Sequence, residues 1–433
     1  MAESAPRPQL RLPDGSLLLH IGPHKTGTTT VQAALGANRP SMLAQGVLYP
    51  GEDDHLLTSS MAAATGRVDP GKRLEPALAQ WHAEVGAITN SDARLGVLSS
   101  EFYADATPER IRWVLDRLGP RTHVVLTLRP VARILTSQWQ QYVQNQLTLG
   151  LDDWLGAILA TPEPGAVTPS FWRRHRHDLL IESWREVVGP DRITAIVLDE
   201  RDRAFLPRAF EDLLGLRRGT LSVPDLQRNR SLTYEEAELL RAFNAVWRSA
   251  DGDLGDYTRF VRFGAARELV EGAAPDGLHP IRLPGWAAER VAELGAETAA
   301  RIARSGIRVV GDLEHLADPP VPPEIGVNPA IASIPTEVAG AFLAGLITHL
   351  GRVQGRANDS HDPGPVQAAL VGRHRAVNVV GLSDWPETLR TEIARTQERL
   401  SAERIAGEAT RTEVAGELWR RLRGRLGRRG ATA

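Results

Sequence analysis

One short stretch of the chain sets several anion-binding groups side by side. It reads Leu17-Leu-Leu-His-Ile-Gly-Pro-His-Lys-Thr-Gly-Thr-Thr-Thr-Val-Gln32. The apolar run Leu17–Ile21 predicts a buried strand, and the spacing that follows predicts a helix over Thr28–Ala37. A tight loop joins them. Gly27 has no side chain, so a phosphate can come close to the backbone there. Amides at a helix start, and the positive end of its dipole, favour an anion at the same place. Thr26, Thr28 and Thr29 add hydroxyl donors, and Lys25 adds a full positive charge. Lys25 and Lys72 are the only lysines among 51 basic residues, so a lysine in this loop stands out from an arginine-rich background. The spacing is not that of a Walker A loop, in which the lysine follows the second glycine. Here it stands two positions before Gly27.

A second passage has the same logic. His123-Val-Val-Leu-Thr-Leu-Arg-Pro130 reads as a strand ending at Arg129, and Ser137 follows eight residues later on the next helix. A guanidinium offers a rigid fork of donors to a phosphate, and a serine adds one hydroxyl. Eight helical residues would separate the two by about 12 Å of rise. Pro130 disfavours helix at Arg129 and supplies a loop start instead. Alone, an arginine after a strand more often makes a surface ion pair; beside the first loop, the phosphate reading prevails.

Together the two segments resemble sulfotransferases that use 3′-phosphoadenosine 5′-phosphosulfate (PAPS), with the first as the 5′-phosphosulfate loop and Arg129 with Ser137 at the 3′-phosphate. Further pieces resemble the bacterial branch of that P-loop-like superfamily. These are Gly46-Val-Leu-Tyr-Pro50, Leu98-Ser-Ser-Glu-Phe102, Ser137-Gln-Trp-Gln-Gln141, Asn229-Arg-Ser-Leu232 and Gly306-Ile-Arg-Val-Val-Gly-Asp-Leu313. The resemblance spans residues 15–320. It implies a cofactor site made of Lys25, Thr26, Gly27, Thr28, Thr29, Arg129 and Ser137. The C-terminal Arg-Lys-Gly clamp of the cytosolic eukaryotic enzymes has no counterpart in this sequence. Asn229 and Ser231 are secondary candidates on the nucleotide side, although a polar cap before the helix at Tyr234 explains them as well.

The resemblance implies transfer of a sulfuryl group from PAPS to a hydroxyl of a glycan, lipid or small metabolite. Such an in-line displacement needs the charge growing on the leaving phosphate to be stabilised, a task that falls to Lys25. It also needs a base for the acceptor hydroxyl. Glu101, directly after the strand Leu95–Leu98, is the first candidate, with an arginine-paired carboxylate as the plainer alternative. His24 and His55 are the runners-up. No side-chain cluster has metal-ligand spacing, so no metal is expected. Two other readings stand beside this one. A nucleotide kinase would need Walker A spacing and a magnesium-binding aspartate after a strand. A non-catalytic nucleotide- or anion-binding module would use Lys25 for affinity alone.

These residues need a scaffold that brings strand ends together. Apolar runs at Leu17–Ile21, Val47–Tyr49, Leu95–Leu98, His123–Leu128 and Ile193–Leu198 read as buried strands. Helical spacing between or after them covers Thr28–Ala37, Pro108–Leu118, Val131–Gln144, His177–Val188 and Arg203–Leu214. The alternation predicts an α/β three-layer sandwich: a central parallel sheet, a phosphate-binding loop at a strand end, and ligands beyond the carboxyl ends of the strands. Beyond residue 230 the pattern is helical over Tyr234–Ser249, Asp256–Leu269 and Trp286–Arg304, with a last strand near Ile307–Leu313. Asp318–Pro323 reads as a boundary, giving a domain over 15–320 and a helical C-terminal extension over 321–433. That extension carries a helix near Val338–Leu350 and a long final helix from Trp385 to Leu426.

Composition narrows the rest. The 433 residues are 42% hydrophobic and 24% charged, with a net charge of −2, which suits a globular protein and not a nucleic-acid binder. The absence of cysteine removes disulfides, thiolate nucleophiles and Cys-type metal sites. The first residues lack a signal pattern, and the expected location is the cytoplasm. The cluster Arg173-Arg174-His175-Arg176-His177 reads as the solvated face of a helix. Val414, Leu418, Leu422 and Leu426 beside Arg420, Arg421, Arg423 and Arg425 form a basic amphipathic end, suited to docking on its own domain, to self-association or to an anionic membrane surface.

Overall fold

A computed structural model describes residues 10–51, 56–69, 72–223, 230–320 and 324–357. Its strands are β1 (Ser16–His20), β2 (Val47–Leu48), β3 (Leu95–Ser99), β4 (Thr122–Leu128), β5 (Ile193–Val197) and β6 (Arg308–Val310). They form one sheet in the order β2-β3-β1-β4-β5-β6, and every neighbouring pair is parallel. The chain has the α/β architecture that strand and helix alternation predicts. β1, β3, β4 and β5 are buried at every residue, which is why they read as unbroken apolar runs and not as an alternation. The edge strands β2 and β6 are two and three residues long and partly exposed, as suits strands that must not recruit further pairing.

Helices pack on this sheet. Thr28–Ala37 packs against Phe205–Leu214, while Leu57–Thr65, Pro108–Leu118, His177–Val188 and Gly285–Ala303 follow one another in a row, with Leu74–Thr89 against the first. Pro108–Leu118 shows how local sequence sets these elements. The Thr107 hydroxyl caps the Arg110 amide, proline occupies the first turn, and Gly119 ends the helix at φ 88°. Ile111, Val114, Leu115 and Leu118 then share the buried face.

The winding matters most for function. From β1 the chain travels out to β2, returns to β3, and crosses to β4 on the other side of β1 before moving on to β5 and β6. The order therefore reverses at β1, and open α/β sheets bind ligands in the crevice at such a reversal. Register brings His20 level with Ser99 on one side and Val125 on the other. The segments leaving β1, β3 and β4 therefore emerge from the same edge.

By its contacts the chain divides into two units, one of Met1–Trp139, Leu151–Arg228 and Ile281–Asn328, the other of Gln140–Gly150, Asn229–Pro280 and Pro329–Ala433. The first holds the sheet. In the second, Thr233 and Glu236 form a reciprocal cap on the helix Tyr234–Ser249. The Tyr257 hydroxyl donates to Asn244 Oδ1 at 2.6 Å, and the Asn244 amide donates to the carbonyls of Val143 and Leu147. Where simple helix was expected over Asp256–Leu269, a nine-residue π segment, Tyr257–Ala265, intervenes. The helix Thr336–Ala357 crosses it closely: a Cβ at Gly345 would lie 2.7 Å from Ala265 Cα. The expected helix over Val131–Gln144 is also divided, into a 3-10 turn at Val131–Arg133 and a helix at Leu135–Val143. His55, Asn229 and the chain from residue 358 onward, including the basic leucine stripe, lie outside the described residues.

Candidate functional site

The loop after β1 is shaped by what cannot fit there. A Cβ at Gly22 would lie 2.3 Å from Thr127 Oγ1, 2.6 Å from His20 Nε2 and 2.7 Å from Thr28 Oγ1. Gly27 turns the chain into the helix at φ 91°, and Lys25 also sits in the left-handed region, at φ 67°. A non-glycine residue in that region is costly and persists where its surroundings over-determine it. The helix Thr28–Ala37 then begins without a side-chain cap and without an acidic residue in its first turn. Its first amides have no carbonyl partner within the helix and remain open to an anion.

The three threonines separate. Thr26 is fully buried; its hydroxyl donates to the Pro23 carbonyl at 2.7 Å and meets Thr127 Oγ1 at 2.9 Å. Its amide is also bonded to Pro23, at 3.3 Å. Thr28 is buried as well, and its hydroxyl donates to the carbonyl of Gly22 at 3.1 Å. Thr29 is exposed. The hydroxyls of Thr26 and Thr28 thus serve the loop frame, and Thr29 is the one that faces out.

Lys25 is reachable by solvent but crowded by its neighbours. This desolvation lowers its pKa, and Arg129 pushes the same way while Glu101 opposes. Arg129 reaches back to the loop, donating from its Nη1 to the Lys25 carbonyl at 3.2 Å. Its Nε pairs with Glu200 at 2.5 Å; Glu200 also meets Arg133 at 3.5 Å, and Arg133 pairs with Glu324 at 2.5 Å. Ser137 lies on the helix beyond, half-buried, with its hydroxyl donating to the Ile134 carbonyl at 2.9 Å. Between it and Arg129, Pro130 opens the 3-10 turn that replaces straight helix.

Glu101 begins a 3-10 turn, Glu101–Asp105, immediately after Ser100, whose hydroxyl accepts from the Phe102 amide. Its Oε2 accepts from Gln32 Nε2 at 3.2 Å, and the same amide donates to the Ser99 carbonyl at 3.1 Å. Gln32 lies one turn after Thr28, so the helix that opens the anion site also steadies this carboxylate. His24 stands edge-on to Phe102 with ring centroids 5.8 Å apart, and its Nε2 is buried without a hydrogen-bond partner. Burial, Arg174 and Lys25 hold its pKa well below the usual imidazole value, so it is neutral near pH 7.

The basic cluster expected on a solvated face is largely internal. His175 and His177 are buried, Arg174 grips Asp105 with two bonds of 2.7 and 2.6 Å, and Arg176 pairs with Asp178. The cluster falls where the short helix Ser170–His175 turns into His177–Val188, so its side chains point several ways instead of along one helical stripe. Gln32, Glu200 and Arg133 complete the site without having been singled out in the sequence; none sits in a recognisable pattern. Among the described residues no group of three or more His, Asp or Glu is placed to hold a metal ion, and no helix is long and apolar enough to cross a membrane.

No protein-family model matches the chain, and no curated protein matches it. Among solved structures it is similar to the crystal structure of a sulfotransferase from Alicyclobacillus acidocaldarius, with 17% sequence identity and a TM-score of 0.34, covering 59% of this chain and all of that one.

Proposed function

We propose that the chain transfers a sulfuryl group from PAPS to a hydroxyl of a glycan, lipid or small-molecule acceptor. The observation that carries this reading is the uncapped helix start at Thr28, set at the reversal of the sheet with Lys25 on the loop before it and Arg129 bonded to that loop. In this reading the amides of the first helical turn and the Thr29 hydroxyl hold the 5′-phosphate. Arg129 and Ser137 hold the 3′-phosphate. The acceptor oxygen attacks sulfur, the bond from sulfur to the 5′-phosphate oxygen breaks, and its electron pair goes to that oxygen, where the Lys25 ammonium neutralises it. Glu101 takes the acceptor proton; the amide of Gln32 on its Oε2 orients it and leaves Oε1 for the acceptor. His24, neutral and with a ring nitrogen unpartnered, is the second candidate for this base.

Incubating the protein with PAPS carrying labelled sulfate, over a panel of hydroxyl acceptors, tests the reading directly. Transfer that disappears in Lys25→Ala supports it. Binding of adenosine 3′,5′-bisphosphate with no transfer to any acceptor would favour a non-catalytic module, and magnesium-dependent consumption of ATP would favour a kinase.

A further inference from the structure

Beneath the phosphate loop runs a chain of four hydrogen bonds that none of the roles above uses. Ser99 Oγ lies 2.8 Å from His20 Nδ1, and His20 Nε2 lies 3.2 Å from Thr127 Oγ1. Thr127 Oγ1 lies 2.9 Å from Thr26 Oγ1, which is 2.7 Å from the Pro23 carbonyl. All four side chains are fully buried, and the imidazole is wedged edge-on against Phe210 at 5.0 Å.

The hydrogens in this chain have one arrangement. A carbonyl only accepts, so the single hydroxyl hydrogen of Thr26 goes to Pro23. Thr26 can then only accept from Thr127, which spends its own hydrogen. Thr127 must in turn accept from His20 Nε2. Burial holds His20 neutral, its pKa lowered to about 3, so the ring carries one hydrogen and Nδ1 accepts from Ser99.

The direction has a consequence at the surface. With Thr26 committed inward, the Pro23 carbonyl receives both the hydroxyl and the amide of Thr26, and the Gly22 carbonyl receives the Thr28 hydroxyl. The carbonyls of Gly22 and Pro23 therefore face the protein, and these two negative ends are withdrawn from the place where an anion would sit. We infer that His20 is a positioning residue: as the Nε2–H tautomer it sets the direction of the chain from Ser99 to Pro23 and so keeps the first carbonyls of the loop inward and the amides at the helix start free for an anion. The final clause rests on the phosphate-binding reading proposed above.

The experiment combines ring nitrogen shifts of His20, amide hydrogen exchange across residues 22–30, and affinity for adenosine 3′,5′-bisphosphate, in the wild type, Thr127→Val and His20→Gln. The wild-type ring should be the Nε2–H form. Thr127→Val, which keeps the side-chain shape but breaks the chain, should speed exchange in the loop while leaving the distant edge strand β6 unchanged, and should weaken bisphosphate binding about tenfold. His20→Gln, whose amide can still donate to Thr127, should lose less. A His20 ring in the Nδ1–H form, or a loop whose exchange is unaltered in Thr127→Val, overturns the inference. If the wild type binds no bisphosphate, the proposed function fails, while tautomer and exchange still decide the role of His20.

Discussion

The loop after β1 is held from two sides that differ in kind. Below it, Ser99, His20, Thr127 and Thr26 form an uncharged, fully buried chain in which each hydrogen has one place to go. Beside it, Arg129, Glu200, Arg133 and Glu324 form a charged, partly exposed chain of ion pairs. The first cannot exchange partners without leaving a buried polar atom unsatisfied, which costs roughly 1–3 kcal/mol. The second exchanges easily, because ion pairs open to water are worth about 1 kcal/mol or less and an incoming phosphate can take the place of a carboxylate. The contrast separates a frame, which sets the loop's shape, from a clasp, whose partners can change.

Removing the cation of the loop that frame and clasp both hold should have the largest effect. Lys25→Ala should lower kcat about 10³-fold in PAPS-dependent transfer, as expected when a group that meets developing charge is removed. Its thermal midpoint should stay close to that of the wild type, and near-normal turnover would take Lys25 out of the mechanism. Glu101→Gln should cost about 10²-fold in the same transfer; turnover unchanged from the wild type would pass the role of base to His24.

Acid attacks the frame and the core. Burial lowers the pKa of His20 to about 3 and those of His123 and His177 to about 4. In the unfolded chain these rings titrate near 6.5, so below that pH the unfolded state binds more protons. Stability should be complete above about pH 6.5 and fall as pH drops towards 4, each ring contributing about 1.4 kcal/mol per pH unit. Denaturant midpoints measured at pH 7, 6, 5 and 4 check this, and a flat series would mean the rings are not buried neutral. The smallest change expected is a gain. Glu200→Gln frees Arg129 and should tighten bisphosphate binding about twofold to fivefold at low salt, the difference shrinking as salt is raised. Weaker binding would show that Glu200 orients Arg129 instead of competing for it.

Much of this was legible in the sequence where one segment carries its own signal. The helices Thr28–Ala37, Pro108–Leu118, His177–Val188 and Tyr234–Ser249 stand at the expected bounds because each carries local marks: apolar spacing throughout, a capping threonine before Pro108–Leu118 and Tyr234–Ser249, and a bordering glycine at the other two and at the end of Pro108–Leu118. Lys25, Gly27 and Arg129 were visible for the same reason. The frame was not. His20 meets partners 79 and 107 residues away, and those pairings depend on the register of β1 against β3 and β4, which no local pattern encodes. Thr26 read as a donor to phosphate because a hydroxyl's residue type does not reveal which way it points. Arg174 and His175 read as surface because a run of charge looks solvated until the chain is seen to turn there.

The left-handed backbone of Lys25 sets two selective demands against each other at one position. Folding favours glycine there, since an L side chain in that conformation costs about 1–2 kcal/mol. The proposed sulfuryl transfer favours an ammonium. Lys25→Gly should therefore give a more stable protein that is inactive, and lineages released from catalysis would be expected to drift towards glycine or asparagine at this site. Under the proposed function, the lysine is a compromise in which activity outweighs ease of folding.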